Sequence, residues 1–97
     1  SHLPHAISYA LANTVMTNED PKDIISLAGG GFRDMSRIAK SSSHMWTDIF
    51  KQNRGNMLDS LDKFDDQMKL IRTMIENEQY EDMAKWMDKA NSLHDIL

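Results

Sequence analysis

Met57, Leu61, Phe64, Met68, Ile71 and Ile75 follow one another at steps of four, three, four, three and four residues. That alternation holds apolar side chains on one stripe of an α-helix and approaches a heptad seam. Trp46, Ile49 and Phe50 lead into it, and Gly55 interrupts the run, which predicts a break or bend between Phe50 and Met57. No segment alternates for long enough to make a half-buried strand, so the chain reads as all-α, with five or six helices.

The other helices are shorter. Pro4 fits the first turn of a helix whose inward face is Leu3, Ile7, Ala10, Leu11 and Thr14 or Val15. Thr17-Asn-Glu-Asp-Pro21 breaks it, and residues 20–28 read as a short helix with acids at its start, stopped by the glycines that follow. A further helix is expected from about Phe32 to Ala39, then a serine-rich turn in which Ser42 or Ser43 caps the next helix. A last helix would carry Tyr80, Met83, Met87, Ala90, Leu93 or His94, and Leu97.

Chemistry is concentrated around Gly29-Gly-Gly31. A glycine run suits a turn, and it lets a ligand approach the main chain closely. Were a helix to begin at or just after Gly31, its first N–H groups would favour an anion. Arg33 and Arg37 are four residues apart, about 6 Å along a helix, so both guanidinium forks project from one side. Such a pair suits a small molecule with two carboxylates, each gripped in bidentate fashion. The same spacing equally suits two arginines that are solvated or paired with acids such as Asp34.

Charge and composition exclude several classes. The net charge is −4, residues 1–44 are balanced, and the excess acid lies in the second half, so no clustered basic face for nucleic acid is present. Cysteine is absent, which removes disulfides and thiolate metal sites. No stretch of about 18 apolar residues marks a membrane span and no leader marks secretion, so the expected compartment is the cytoplasm. His2 and His5 share a helical face at a spacing of three, but two ligands do not make a metal site and the H-E-x-x-H pattern is missing. His44 and His94 read as surface residues. Eight methionines in 97 residues, with Met57, Met68, Met74, Met83 and Met87 near the seam, exceed what so short a chain can cover alone. A homodimer with interlocking helices is therefore expected.

The string Gly29-Gly-Gly-Phe-Arg-Asp-Met-Ser-Arg-Ile-Ala-Lys-Ser41, followed by Met45-Trp46-Thr-Asp-Ile-Phe50 and Asn53, resembles the C-terminal helical domain of prephenate dehydrogenases and the related arogenate dehydrogenases. Ser1-His-Leu-Pro-His-Ala6 resembles the opening of that domain, and the likeness runs to about Leu61. It implies that residues 1–97 are a substrate-binding and dimerisation domain, an intertwined helical dimer lacking the N-terminal Rossmann domain. It implies that Arg37 binds the ring carboxylate of prephenate and that Arg33 stands near the side-chain carboxylate. Gly30 would line the pocket with its backbone, His5 would make a polar contact near the substrate, and Trp46 would reach toward the neighbouring subunit's site. Two departures stand out: Ser43 where relatives often have proline, and Thr47 where many have arginine. The first leaves the turn looser, and the second puts in doubt any ion pair made there.

The same resemblance implies NAD or NADP as cofactor, held with the general base by the absent N-terminal domain, and tyrosine as a possible inhibitor. Gly29-Gly-Gly31 follows no strand and is not the G-x-G-x-x-G turn of a dinucleotide site, so this chain alone is expected to be inactive. Two other classes stay open. One is a stand-alone helical dimerisation or adaptor module, with Arg33 and Arg37 exposed and unpaired. The other is a non-catalytic binding domain for a small dianion, such as a tyrosine sensor.

Overall fold

A computed structural model describes residues 2–17 and 21–97, with side chains for 2–17, 22 and 30–97. Among the described residues there are five α-helices and a short 3-10 turn, and no strand. They are α1 (His2–Met16), α2 (Pro21–Arg37), α3 (Ser43–Gln52), α4 (Arg54–Glu76) and α5 (Tyr80–Asn91), followed by the 3-10 turn Ser92–Asp95. No helix among them is long and apolar enough to cross a membrane. The chain divides into two units, Ser1–Ser60 and Leu61–Leu97, and the boundary falls within α4.

In the first unit α1 packs on α2, and its buried positions are Ser8 and Val15, with His5, Leu11 and Ala12 half-buried. Leu3 and Ile7 are half-buried as well, Val15 rather than its alternative Thr14 turns inward, and Ala10, expected inward, is exposed. The expected stripe thus holds apart from Ala10, and it is joined by Ser8, a small hydroxyl residue that an apolar pattern does not show. Ser8 Oγ donates to the Met35 carbonyl at 2.6 Å. At the end of α1 the Thr17 N–H reaches the Asn13 and Thr14 carbonyls, where a break was expected, and Asn18–Asp20 lie outside the described residues.

The largest correction concerns the glycines. Two helices separated by a glycine turn were expected, yet α2 runs unbroken from Pro21 to Arg37 through Gly29–Gly31. Glycine disfavours a helix interior by only about 1 kcal/mol per residue, a weak local preference that cooperative extension from the turns on either side overrides. The helix then closes two residues before the expected Ala39: the Ala39 N–H bonds the Ser36 carbonyl and the Lys40 N–H the Arg37 carbonyl, each at 3.0 Å. Ser42 caps α3 as expected, its side chain accepting from the Met45 N–H at 3.2 Å. The predicted break falls at Asn53, whose N–H and side-chain amide both turn back to the Ile49 carbonyl, and α4 restarts at Arg54.

In the second unit α5 meets α4 through a side-chain tie. The Trp86 indole N–H donates to Gln67 Oε1 at 2.8 Å, and Met74 is buried. The turn between them ends α4 with a bond from the Gln79 N–H to the Met74 carbonyl, while Glu78 takes the left-handed backbone that glycine usually supplies there. The last helix stops at Asn91 rather than running on to Leu97, and its tail tightens into the 3-10 turn.

Candidate functional site

Continuity of α2 changes how the arginines are presented. At about 100° per residue, Gly30, Arg33 and Arg37 fall within roughly 60° of one another around the helix, a single stripe one residue wide. The anion-binding helix start expected at Gly31 does not exist, because that residue lies inside α2. What the glycine supplies instead is an absence of bulk: a Cβ built on Gly30 or Gly31 meets nothing within 4 Å. The stripe is therefore a bare notch followed by two cationic forks.

Arg33 and Arg37 are both exposed. The ion pairs among the described residues are His44–Asp48 and Arg72–Glu76, and neither takes an arginine of α2. Among the described residues Asp34 is not paired with them, and their exposure is what two solvated arginines would also show. Exposed arginines fit the adaptor reading, and they fit equally one wall of a pocket whose other wall lies outside this chain.

A second cluster forms where α1 meets α3. Trp46 is only 8% exposed, and the His5 ring lies flat on it, with centroids 3.6 Å apart and planes inclined by 19°. His2 meets the same indole edge-on at 6.0 Å, and Phe50 supports it at 5.6 Å from one turn further along α3. His2 and His5 thus both contact an indole, and among the described residues no group of three metal-ligating side chains occurs. Trp46, assigned by resemblance to a neighbouring subunit's site, makes these contacts within its own chain. A depression of about 280 Å³ beside it is lined by Tyr9, Asn13, Ser43, Trp46, Thr47 and Phe50.

The two clusters are joined by Ser8 and Met35. Ser8 lies one turn beyond His5 on α1, and Met35 lies between Arg33 and Arg37 on α2. Tyr9 adds a second tie, its hydroxyl donating to the Ser41 carbonyl at 3.3 Å. Ser8 gives no apolar or charge signal in the sequence, and only the structure shows its bond to Met35. His44 and His94 are exposed, as expected.

No part of this arrangement cradles a dinucleotide. The glycines lie within a helix instead of between a strand and a helix, so the residues present do not fit that group.

Comparison with known proteins bears directly on the choice of class. The family described as "Prephenate dehydrogenase, dimerization domain" matches residues 1–89, beyond the Leu61 at which the motif resemblance ends. Prephenate dehydrogenase of Bacillus subtilis (strain 168) is 35% identical over 98 residues, covering all of this chain and 26% of the relative. Cyclohexadienyl dehydrogenase of Zymomonas mobilis is 39% identical over 77 residues, covering 77% of the chain and 26% of the relative. Prephenate dehydrogenase of Lactococcus lactis is 26% identical over 99 residues. The chain spans about a quarter of the length of these relatives.

Proposed function

Because the chain belongs to the prephenate dehydrogenase dimerization-domain family, we propose that it forms the substrate-gripping and subunit-joining part of a cytoplasmic prephenate dehydrogenase. The whole enzyme would oxidatively decarboxylate prephenate, or its amino counterpart arogenate, with NAD or NADP, yielding 4-hydroxyphenylpyruvate from prephenate. The observation that carries the reading is the single stripe of Gly30, Arg33 and Arg37 on an uninterrupted α2. Arg37 takes the ring carboxylate, Arg33 the side-chain carboxylate, and Gly30 leaves room for the substrate to lie against the helix. His5 adds a polar contact, and the dinucleotide and the general base belong to other parts of the enzyme.

The chemistry limits what the arginines contribute. The ring carboxylate is lost as neutral carbon dioxide, so its charge disperses as the reaction proceeds. A guanidinium gripping it stabilises the bound substrate at least as strongly as the transition state. Arg37 therefore serves affinity and orientation rather than the bond-breaking step. In the full-length enzyme, Arg37→Gln is expected to raise KM by the equivalent of about 2 to 4 kcal/mol while kcat changes far less. Steady-state kinetics with prephenate test this, and an unaltered KM refutes the assignment.

Homodimerisation is the second half of the proposal. It is supported by the family description and by the apolar seam of α4, where Met68 and Ile75 are 52% and 53% exposed. Asp65, Lys69, Arg72 and Glu76 line the same groove with charges of both signs, the composition that lets one helix face pair with its own copy.

A further inference from the structure

We propose that Ser8 is a positioning residue that acts through Arg37: its hydroxyl, given to the Met35 carbonyl, fixes the last turn of α2 and with it the fork that meets the ring carboxylate. The inference rests on the role given to Arg37 above and adds what holds that residue in place. Arg37 is the final residue of α2, where a helix frays because its last four carbonyls find no N–H within the helix. A long side chain mounted on a fraying turn must give up its own rotamers and the freedom of its backbone when it grips a substrate. That ordering costs affinity. Ser8 removes the backbone part in advance, since it is 2% exposed and bonds, at 2.6 Å, a carbonyl two residues before Arg37.

The next residue of α1 holds the far side. The Tyr9 hydroxyl donates to the Ser41 carbonyl at 3.3 Å, beyond Arg37 in the chain, so two adjacent residues of α1 grip main-chain atoms on both sides of the arginine. Between those two points the Ser36 and Arg37 carbonyls accept from the Ala39 and Lys40 N–H groups, which closes the turn without using the guanidinium. Among the described residues no ion pair takes Arg37 either, so its direction is set by the backbone that carries it. A hydroxyl as buried as that of Ser8 offers no surface to a substrate. Its contribution travels through the main chain of α2.

The test uses the full-length enzyme, with prephenate as substrate and 4-hydroxyphenylpyruvate as inhibitor, because the latter keeps the side-chain carboxylate and has lost the ring carboxylate. Ser8→Ala is expected to raise KM about three- to tenfold with kcat altered less than roughly twofold, a misplacement of the fork rather than its loss. The Ki of 4-hydroxyphenylpyruvate is expected to stay within about twofold of wild type, since that molecule has no group for Arg37 to grip. A general loosening of the fold would weaken both. In an Arg37→Gln background Ser8→Ala is expected to change KM no further, because the group it positions is gone. Tyr9→Phe removes the longer bond and keeps the ring, and it is expected to raise KM in the same sense by a smaller factor. Where Ser8→Ala does not fold, Tyr9→Phe gives the reading, and a wild-type KM there overturns the inference. A wild-type KM in a folded Ser8→Ala enzyme overturns it too, as does an equal rise in KM and Ki or an effect that persists in full without Arg37. Arg37→Gln measured alone separates the two proposals. A raised KM there beside a wild-type KM in Ser8→Ala sinks the positioning role alone, whereas an unchanged KM in Arg37→Gln sinks the carboxylate assignment and the positioning role with it.

Discussion

Ser8 carries a hydroxyl into the α1–α2 contact at 2% exposure and gives its hydrogen to the Met35 carbonyl. That carbonyl is among the last four of α2, which have no partner within their own helix. Ser36 and Arg37 satisfy theirs through the tight turn that follows, and Met35 is served from the neighbouring helix. Ser8→Ala is therefore expected to destabilise the protein by about 1 to 2 kcal/mol, since the buried carbonyl is left without a donor. Chemical denaturation reads this directly, and an unchanged midpoint would show that the bond contributes nothing net. At this scale the sequence was uneven evidence. Arg33 and Arg37 announced themselves by charge and spacing, whereas the His5–Trp46 stack joins residues on separate helices that no local pattern pairs.

Caps and breaks were legible one element at a time because each depends on a few adjacent residues. Ser42, one of the two serines expected to, caps α3, and Asn53 ends it within the interval where Gly55 had placed a break. The glycine triplet misled for a physical reason: its local preference is weak, and the helical turns on either side carry α2 through it. The outcome separates stability from function at one position. Gly30 is helical and a Cβ there meets nothing within 4 Å, so Gly30→Ala is expected to stabilise the fold by about 0.5 to 1 kcal/mol. If the bare stripe admits the substrate beside Arg33 and Arg37, the same methyl group raises KM. Thermal unfolding and steady-state kinetics on one variant check both signs, and a stabilised enzyme with wild-type KM would remove Gly30 from the pocket.

Over the whole molecule, the seam of α4 was plain in the sequence but its partner was not, since apolar spacing says that a face is buried and never by what. Within the second unit, α5 takes the side of α4 that carries Gln67, Leu70 and Met74, as the Trp86–Gln67 bond and the depression around Leu70 show. At about 100° per residue, the stripe of Met68, Ile71 and Ile75 faces elsewhere around the helix. Met74 is the single large apolar side chain buried among the described residues of that unit. A unit with so little interior gains its stability from association, and the bare stripe flanked by Asp65, Lys69, Arg72 and Glu76 is the surface suited to it. On a monomer, Met68→Lys with Ile75→Lys would alter only half-exposed positions and change stability by about 0.5 kcal/mol or less each. In a dimer closed through this stripe, the same pair buries two unpartnered ammonium groups and opposes assembly by several kcal/mol, on the order of the cost of an uncompensated buried charge. Sedimentation velocity across a dilution series distinguishes these outcomes. The parent protein is expected to sediment as a dimer at micromolar concentration and the double variant as a monomer with lowered, concentration-independent thermal stability. A double variant that stays dimeric would move the interface off α4, and a parent that is a stable, fully helical monomer would end the dimer proposal.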